Sequence, residues 1–449
     1  MTSRRAQRGH INRVSCAAIL GAVLWAGMTT PGHARLPAIF KLPETSFEPL
    51  AFDDLDGWKV DDHAAAYATF LASCRAILPD RRKAREAGPL FTALKSVCGK
   101  ARAALPLGEK EAREFFEQNF RPLRIAKVGD AAGFLTGYYE PIVEGSRFPT
   151  REYTIPLYRR PADLIMQGQK KKGKGFANKG TVVRKFGRRK AVPYYDRAQI
   201  EDGALDGRRL EICWLKDPIA AFFIHIQGSA RIRLEDGAVL RVNYDAHNGQ
   251  PYLPVGRILI ERSIVAREEM SMQRIREWMM ANPEEGRALR RLNKSFIFFR
   301  VTELSQHDEA RGGQGVALTP GRSIAIDRPL HVYGMPFWIE AELPIATEQP
   351  TTKFRRLVVA QDTGSAIVGP ARADIYFGAG DEAERMAGGI RHPGRFVMLV
   401  PRELDFAGGA RVPLPRPRPS AQAMAGEKAT AAPLPPARPK GKRPSKPRR

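Results

Sequence analysis

Three aspartates, Asp327, Asp362 and Asp374, fall within 48 residues of a chain with a formal net charge of +25. They sit in S-I-A-I-D-R-P-L-H-V-Y-G (323–334), V-V-A-Q-D-T-G-S-A-I-V-G (358–369) and R-A-D-I-Y-F-G-A-G (372–380). Each carboxylate is embedded in apolar, β-branched sequence near glycine. Burial against apolar walls disfavours the charged form, raises a carboxyl pKa and keeps the proton on it near neutrality. A carboxyl tuned in this way can act as a general acid and, once ionised, as a general base. Turn capping or an arginine partner explains one such aspartate; three in so short a stretch point to a site.

The elements that must hold these side chains are strands. After Asn293, strands are expected at Phe296–Val301, His331–Leu343, Leu357–Gln361, Ala373–Phe377 and Arg395–Val400. Upstream, residues 62–125 read as helical, because apolar residues from Tyr67 to Leu78 and from Leu90 to Ala101 recur at helix spacing. A third helix near 109–120 carries Ala112, Phe115, Phe116 and Phe120. From Gly133 the texture turns to short β-rich runs. Ala220–Ile226 reads as an apolar strand, and Arg231–Leu234 and Val239–Tyr244 as a hairpin about Glu235-Asp236-Gly237. A helical island is expected at about 265–281, followed by a helix with Pro283 at its first position and Asn282 as cap.

Three further stretches mix aromatic and polar residues: G-F-L-T-G-Y-Y-E-P (133–141), F-F-I-H-I-Q-G-S-A-R-I (222–232) and Y-D-A-H-N-G-Q-P-Y-L-P-V-G-R (244–257). Tyrosine offers a flat apolar face with a polar tip, which suits a sugar ring. Thr136, Gln227 and Ser229 add hydroxyl and amide partners. Metal binding has no support, since no His-x-x-x-His or Cys-x-x-Cys pair occurs and the aspartates do not alternate within one loop. No cofactor motif is present; Arg311-Gly312-Gly313 lacks the lysine and the strand-to-helix setting of a phosphate loop. Gly228-Ser229 and Gly364-Ser365 have no histidine partner for a triad.

The charge is uneven. Residues 1–34 carry four arginines and no acid, 170–190 carry ten basic residues and no acid, and 409–449 carry eleven against Glu427 alone. The first segment has the basic region, the apolar run from Val14 to Met28 and the small residues of an export signal; an uncleaved N-terminal anchor is the alternative. The last is rich in proline and lysine, without apolar periodicity, and is expected to be disordered. Residues 166–192 read as a basic loop. Such charge favours polyanionic surroundings, and export argues against nucleic acid. With Cys16 in the signal, Cys74 and Cys98 lie on consecutive helices, where a disulfide and two reduced buried thiols are both open. Cys213 reads as a small core residue.

The three aromatic stretches, with G-V-A-L-T-P-G-R-S-I-A-I-D (315–327), Q-D-T-G-S-A-I-V-G (361–369) and A-D-I-Y-F-G-A-G (373–380), resemble the membrane-bound lytic murein transglycosylase A family. The C-terminal part resembles its 3D domain, named for three aspartates. The resemblance runs from about Gly133 to Leu404. It implies a mainly β protein with N-terminal helices: a double-psi β-barrel built from both ends of the chain, a second β-rich domain inserted, and a glycan groove between them. The boundaries expected are a signal peptide at 1–34, helices and first barrel part at 35–140, the insert at 141–299, the 3D domain at 300–408 and the tail at 409–449.

By motif match, Asp374 is the implied catalytic acid, with Asp362 its acidic companion. Thr136, Tyr138, Gln227, Ser229, Gly364 and Asp327 form the implied substrate-binding set, although Asp327, followed by Arg328-Pro329, also reads as structural. The implied activity is that of an exo-acting lyase on peptidoglycan glycan strands, needing no cofactor and no metal. One carboxyl donates to the linkage between N-acetylmuramic acid and N-acetylglucosamine, then helps the muramoyl C6 hydroxyl attack C1, giving a 1,6-anhydro end. Asp362 would raise the Asp374 pKa by repulsion or stabilise positive charge in the sugar. Rival readings are a hydrolytic muramidase and a non-catalytic wall-binding protein. The expected setting is the periplasm, as a monomer peripheral to the outer membrane. Segments 170–190 and 409–449 would meet anionic wall or membrane, without nucleic acid. Family members named for membrane attachment are lipoproteins, whereas Cys16 here precedes the apolar run, so no lipid anchor is expected.

Overall fold

The computed structural model describes residues 42–80, 88–104, 106–167, 181–186, 190–346 and 351–404, all within one compact unit that begins at Leu36. The export signal, the basic tail and most of the basic loop expected from sequence lie outside the described residues. Among those described, no helix is long and apolar enough to cross a membrane.

Strand β1 (Thr45–Pro49) leads into helices α1 (His63–Ile77), α2 (Pro89–Ala103) and α3 (Glu109–Asn119). The apolar spacing read from sequence is their buried face: Tyr67, Phe70 and Cys74 of α1 pack with Leu94, Val97 and Cys98 of α2 and with Phe115 and Phe116 of α3. The Phe70 ring stands edge-on to Phe116 and Phe120 at 5.9 and 5.8 Å. Cys74 and Cys98 are joined by a disulfide across 24 positions of sequence, which closes one of the two readings left open. Cys213 is buried and free.

The helical reading fails at residue 120, where β2 (Phe120–Lys127) begins. Its burial alternates loosely along the strand, and its core residues Phe120, Leu123 and Ile125 join the same cluster as the helices. Then follow β3 (Gly133–Glu140), β4 (Ile142–Ser146), β5 (Ile155–Tyr158), β6 (Ile165–Met166), β7 (Val182–Phe186), β8 (Lys190–Pro193) and β9 (Glu211–Leu215). The arms of the expected basic loop are therefore strands, paired in the order β6-β7-β8.

Residues 218–227 form a helix, α4 (Pro218–Gln227), where sequence reading expected a strand at Ala220–Ile226. The run is apolar on every side because both faces are covered. Ala221 and Ile224 face one cluster and Ile219, Phe222 and Phe223 another, so neither period stands out. The expected hairpin is present as β10 (Ser229–Leu234) and β11 (Val239–His247). Of the island expected at about 265–281 only α6 (Met272–Ala281) is helical, residues 265–271 are not, and a separate helix, α5 (Val255–Glu261), precedes it in sequence. Helix α7 (Pro283–Leu292) starts at Pro283; the Asn282 side chain donates back to the Trp278 carbonyl and does not cap it.

Strand β12 (Ile297–Thr302) closes this portion, and the chain returns through β13 (Ser323–Ile326), β14 (Pro336–Leu343), β15 (Thr352–Asp362), β16 (Arg372–Ala379), helix α8 (Asp381–Gly388) and β17 (Arg391–Pro401). The strand expected at His331 starts only at Pro336, since residues 328–335 form turns. Strands β17-β14-β15-β13-β16-β3 pair in sequence, and β3 pairs back to β17, closing a six-stranded barrel flanked by β1 and β2. The second sheet, β12-β11-β10-β4-β9-β5, is entered from β3 and left before β13. Helix α8 presses close on β3: a Cβ on Gly137 would stand 2.7 Å from the Ala387 Cα.

At the junction, the nearly inaccessible Glu140 accepts hydrogen bonds from Arg231 Nε at 2.8 Å and from Arg241 Nη2 at 2.9 Å. These arginines also donate to carbonyls of the connector into the barrel: Arg231 to Gln306 and Asp308, Arg241 to Ser305 and Asp308. A charge trio of this kind, with every terminal guanidinium nitrogen paired and the buried Arg241 Nε left without a partner among the described residues, fixes the connector's path.

Candidate active site

Alternation along the barrel strands sorts their side chains into two sets. Leu135 and Tyr139 of β3, Ile324 and Ile326 of β13, and Ala373, Ile375 and Phe377 of β16 fill the barrel core. Their neighbours face outward. Thr136 and Tyr138, Ala325, and Asp374 and Tyr376 share that outer face, where a small separate cluster of Tyr138, Tyr376, Ala325, Leu318, Ala310 and Ile367 packs. Both candidate aspartates are on it.

Their placement follows from register. Ala325 pairs with Asp362 on its β15 side and with Asp374 on its β16 side. Asp374 in turn pairs with Thr136, and Thr136 with Arg391. One line across the sheet therefore carries Asp362, Ala325, Asp374, Thr136 and Arg391. Two strand spacings separate the aspartate backbones by about 9–10 Å, and the small Ala325 side chain leaves the space between them low.

The two carboxyls are held differently. Asp374 is half-buried, and among the described residues its Oδ1 accepts one hydrogen bond, from Thr136 Oγ1 at 2.6 Å. Thr136 Oγ1 accepts from Arg372 Nη2 at 2.8 Å, so the hydroxyl's proton is directed at the carboxylate. Burial raises the Asp374 pKa above the ordinary carboxyl value, against the opposing pull of Arg372 and of Thr136. Asp362 accepts on Oδ1 from the Gly313 and Thr363 backbone N–H groups, at 2.7 and 2.8 Å, and on Oδ2 from the Tyr138 hydroxyl at 2.8 Å. Three donors favour the ionised form, yet burial, aided by the charge of Asp374, pushes Asp362 upward as well. Burial is thus the cause at Asp374. Repulsion within the pair, expected to act on Asp374, is felt at Asp362.

Sequence reading missed two parts of this arrangement. The Gly313 N–H is a backbone donor with no side chain to announce it. The adjoining Gly312 has no room for a side chain, since a Cβ there would stand 2.5 Å from the Gln361 carbonyl, and one on Gly313 would press the Tyr333 hydroxyl at 2.5 Å. The second is Tyr252, in the irregular stretch before α5. It is half-buried, and burial together with the charge of Asp374 pushes its phenol up to about 12.

The other expected residues lie as follows. Asp327 directly follows β13, nearly inaccessible, and its Oδ2 accepts from the Gly369 N–H at 2.9 Å. Its carbonyl accepts from the Leu330 and His331 N–H groups, and burial lowers the His331 pKa to about 4. It ties down the loop that joins β15 to β16. Gln227 caps the link between helix and barrel, accepting from the Tyr139 N–H at 3.0 Å and donating to Met272 Sδ at 3.4 Å. Ser229 is buried at the start of β10. Gly364 is half-buried in the loop after β15, with its carbonyl accepting from the Ile367 N–H at 3.1 Å. Among the described residues, no group of three or more His, Cys, Asp or Glu gathers as a metal site.

Comparison with known proteins finds relatives of one family. The MltA specific insert domain matches residues 134–300 and the 3D domain matches 322–400. The membrane-bound lytic murein transglycosylase A of Vibrio cholerae serotype O1 is 32% identical over 278 residues, which are 60% of this chain and 67% of that protein. The crystal structure of a membrane-bound lytic murein transglycosylase from Agrobacterium tumefaciens superposes with a TM-score of 0.71 at 34% identity, covering 80% of this chain and 98% of that one. Escherichia coli MltA, solved with bound chitohexaose, gives a TM-score of 0.55 at 25% identity over 82% of this chain and 97% of that one. With an outward-facing aspartate pair on a closed barrel and these relatives, the chain belongs to the membrane-bound lytic murein transglycosylase A family.

Proposed function

We propose that this protein is a peptidoglycan lytic transglycosylase in which Asp374 alone serves as acid and then as base. The observation that carries the reading is the half-buried Asp374 carboxyl, with a raised pKa and a single directed donor, on the outer face of the barrel. A protonated Asp374 gives its proton to the glycosidic oxygen between N-acetylmuramic acid and N-acetylglucosamine, and the C1–O bond breaks with its electron pair leaving on oxygen. The carboxylate so formed takes the proton of the muramoyl C6 hydroxyl as O6 bonds to C1. The ends are a 1,6-anhydro sugar and a free 4-hydroxyl, and no water is consumed. Intramolecular attack gains an effective concentration on the order of 10⁵ M or more when well oriented. It also dispenses with the second carboxylate that hydrolysis requires. Asp362, held by three donors, offsets positive charge at the sugar when ionised.

The binding of chitohexaose by the E. coli relative supports a glycan chain as ligand. In this reading the barrel is of the double-psi type and the second sheet is an inserted domain. The glycan lies in a groove between them, lined by Thr136, Tyr138, Gln227, Ser229 and Gly364, while the nearly inaccessible Asp327 braces the loop beside it. The protein acts in the periplasm as a monomer, with its basic segments at 170–190 and 409–449 drawn to anionic wall or membrane.

Digestion of purified sacculi followed by mass spectrometry of the soluble muropeptides tests the activity. Ends one water lighter than reducing ends support it. Reducing ends identify a hydrolytic muramidase, and retention on sacculi with nothing released identifies a wall-binding protein.

A further inference from the structure

Of the three donors on Asp362, the Gly313 N–H comes from a loop rather than from the barrel. Residues 311–317 form that loop, closed at its base by a bridge between Arg311 and Ala317. Gly313 is exposed, so packing does little to hold it. The next residue does. The Gln314 N–H donates to the Gln361 carbonyl at 3.0 Å. Its side chain reaches helix α1, where Nε2 donates to the Ser73 carbonyl at 3.3 Å and Oε1 accepts from Ser73 Oγ at 2.9 Å.

The direction of these bonds is forced. Gln361 Nε2 donates to the Thr69 carbonyl and to Ser73 Oγ, each at 2.9 Å, and its Oε1 accepts from Ser323 Oγ. That hydroxyl accepts in turn from the Thr319 N–H at 2.7 Å. A carbonyl only accepts, so the Thr69 and Ser73 carbonyls fix both amide orientations. With a lone pair taken by Gln361, Ser73 Oγ turns its proton to Gln314. Ser73, Ser323 and Gln361 are fully buried, and a chain of bonds away from water is costly to break. The Cys74–Cys98 disulfide ties the same turn of α1 to α2.

We infer that Ser73 and Gln314 are positioning residues, which hold the Gly313 N–H on Asp362 from helix α1. The inference rests on the reading above, in which Asp362 acts when ionised and Asp374 when protonated. Asp362 then sets the acidic limb of the pH–rate profile and Asp374 the alkaline limb. The other titratable groups facing Asp362 are Tyr138 from β3, Asp374 from β16 and Tyr333 from the turns before β14. The Arg328 guanidinium lies 4.5 Å from the centre of the Tyr333 ring. Burial and the charge of Asp362 push both phenols up, so neither titrates in the neutral range. The Gly313 donor favours the carboxylate, and losing it moves Asp362 upward. Asp374 is held separately, by Thr136.

The test follows the aspartate carboxyl carbon-13 signals of the labelled full chain against pH. Asp362 and Asp374 are assigned from the spectra of Asp362→Asn and Asp374→Asn. Gln314 is half-buried on a loop, so Gln314→Ala should fold. In that variant Asp362 should titrate about one pH unit higher, with Asp374 nearly unmoved. The acidic limb of anhydromuropeptide release should follow it. Ser73→Ala should shift Asp362 in the same direction, and the double variant no further than Gln314→Ala, as groups acting in series do. An Asp362 that titrates as in wild type, equal movement of both aspartates, or additive shifts overturns the inference. A shifted Asp362 in a protein that releases no anhydro ends upholds the positioning and refutes the cleavage reading.

Discussion

Thr136 donates a 2.6 Å hydrogen bond to Asp374 from its register partner position on the adjacent parallel strand. The bond aims one carboxyl oxygen and favours the ionised form. Thr136→Val keeps the shape and removes the donor, so the alkaline limb of the pH–rate profile should move to higher pH, while kcat falls by about tenfold from lost aim. An unmoved limb with normal kcat would show that the bond does not govern the acid.

The raised pKa of Asp374 makes a stability prediction with a definite sign. A carboxyl whose pKa is higher folded than unfolded binds its proton more tightly in the native state. Its contribution is therefore present below the ordinary carboxyl value and is lost as pH rises through the folded one. Asp374→Asn, which carries no charge and still accepts from Thr136, should melt above wild type at neutral pH, with the difference closing in acid. Melting curves at several pH values check this; a variant less stable at neutral pH contradicts it.

Glu140 offers a prediction about the junction. Glu140→Gln leaves Arg241, itself 1% exposed, without its counter-charge. Breaking a buried pair from one side costs about 3–5 kcal/mol, so the urea midpoint should fall by a corresponding amount. A change under about 1 kcal/mol would mean that the arginine's carbonyl partners suffice.

The Cys74–Cys98 disulfide ties α1 to α2 where both pack on the barrel. Closing a loop of 24 positions should contribute about 3 kcal/mol. Reduction, or Cys74→Ser with Cys98→Ser, should lower Tm accordingly, and equal melting with and without reductant would contradict it.

The aspartates were legible because carboxylates in β-branched, glycine-flanked sequence are costly unless used, and strands beside Asp362 and around Asp374 were read from that pattern; β13, whose Ala325 joins the two in register, was not among the expected strands. Helix α4 was not legible from periodicity, since an element covered on both faces has no polar stripe. Its ends did carry signals. Asp217 caps the Ile219 N–H, Pro218 occupies the first turn, and Gly228 stops the helix at φ +84°, the pattern of a proline-headed, glycine-ended helix. Gly313 and Tyr252 reach the site from distant parts of the chain, through a connector pinned by Arg231 and Arg241 and through an irregular stretch. No local pattern encodes such approaches.

The role of Asp374 is tested most directly by the release of 1,6-anhydromuropeptides from purified sacculi by wild type and by Asp374→Asn, each first shown to be folded. Positioned acid–base groups contribute roughly 10²–10⁴-fold, and a residue filling both roles should lie at the upper end. The account predicts anhydro ends from the wild type and a loss of about 10³-fold or more in the folded variant. Undiminished release by Asp374→Asn would contradict it.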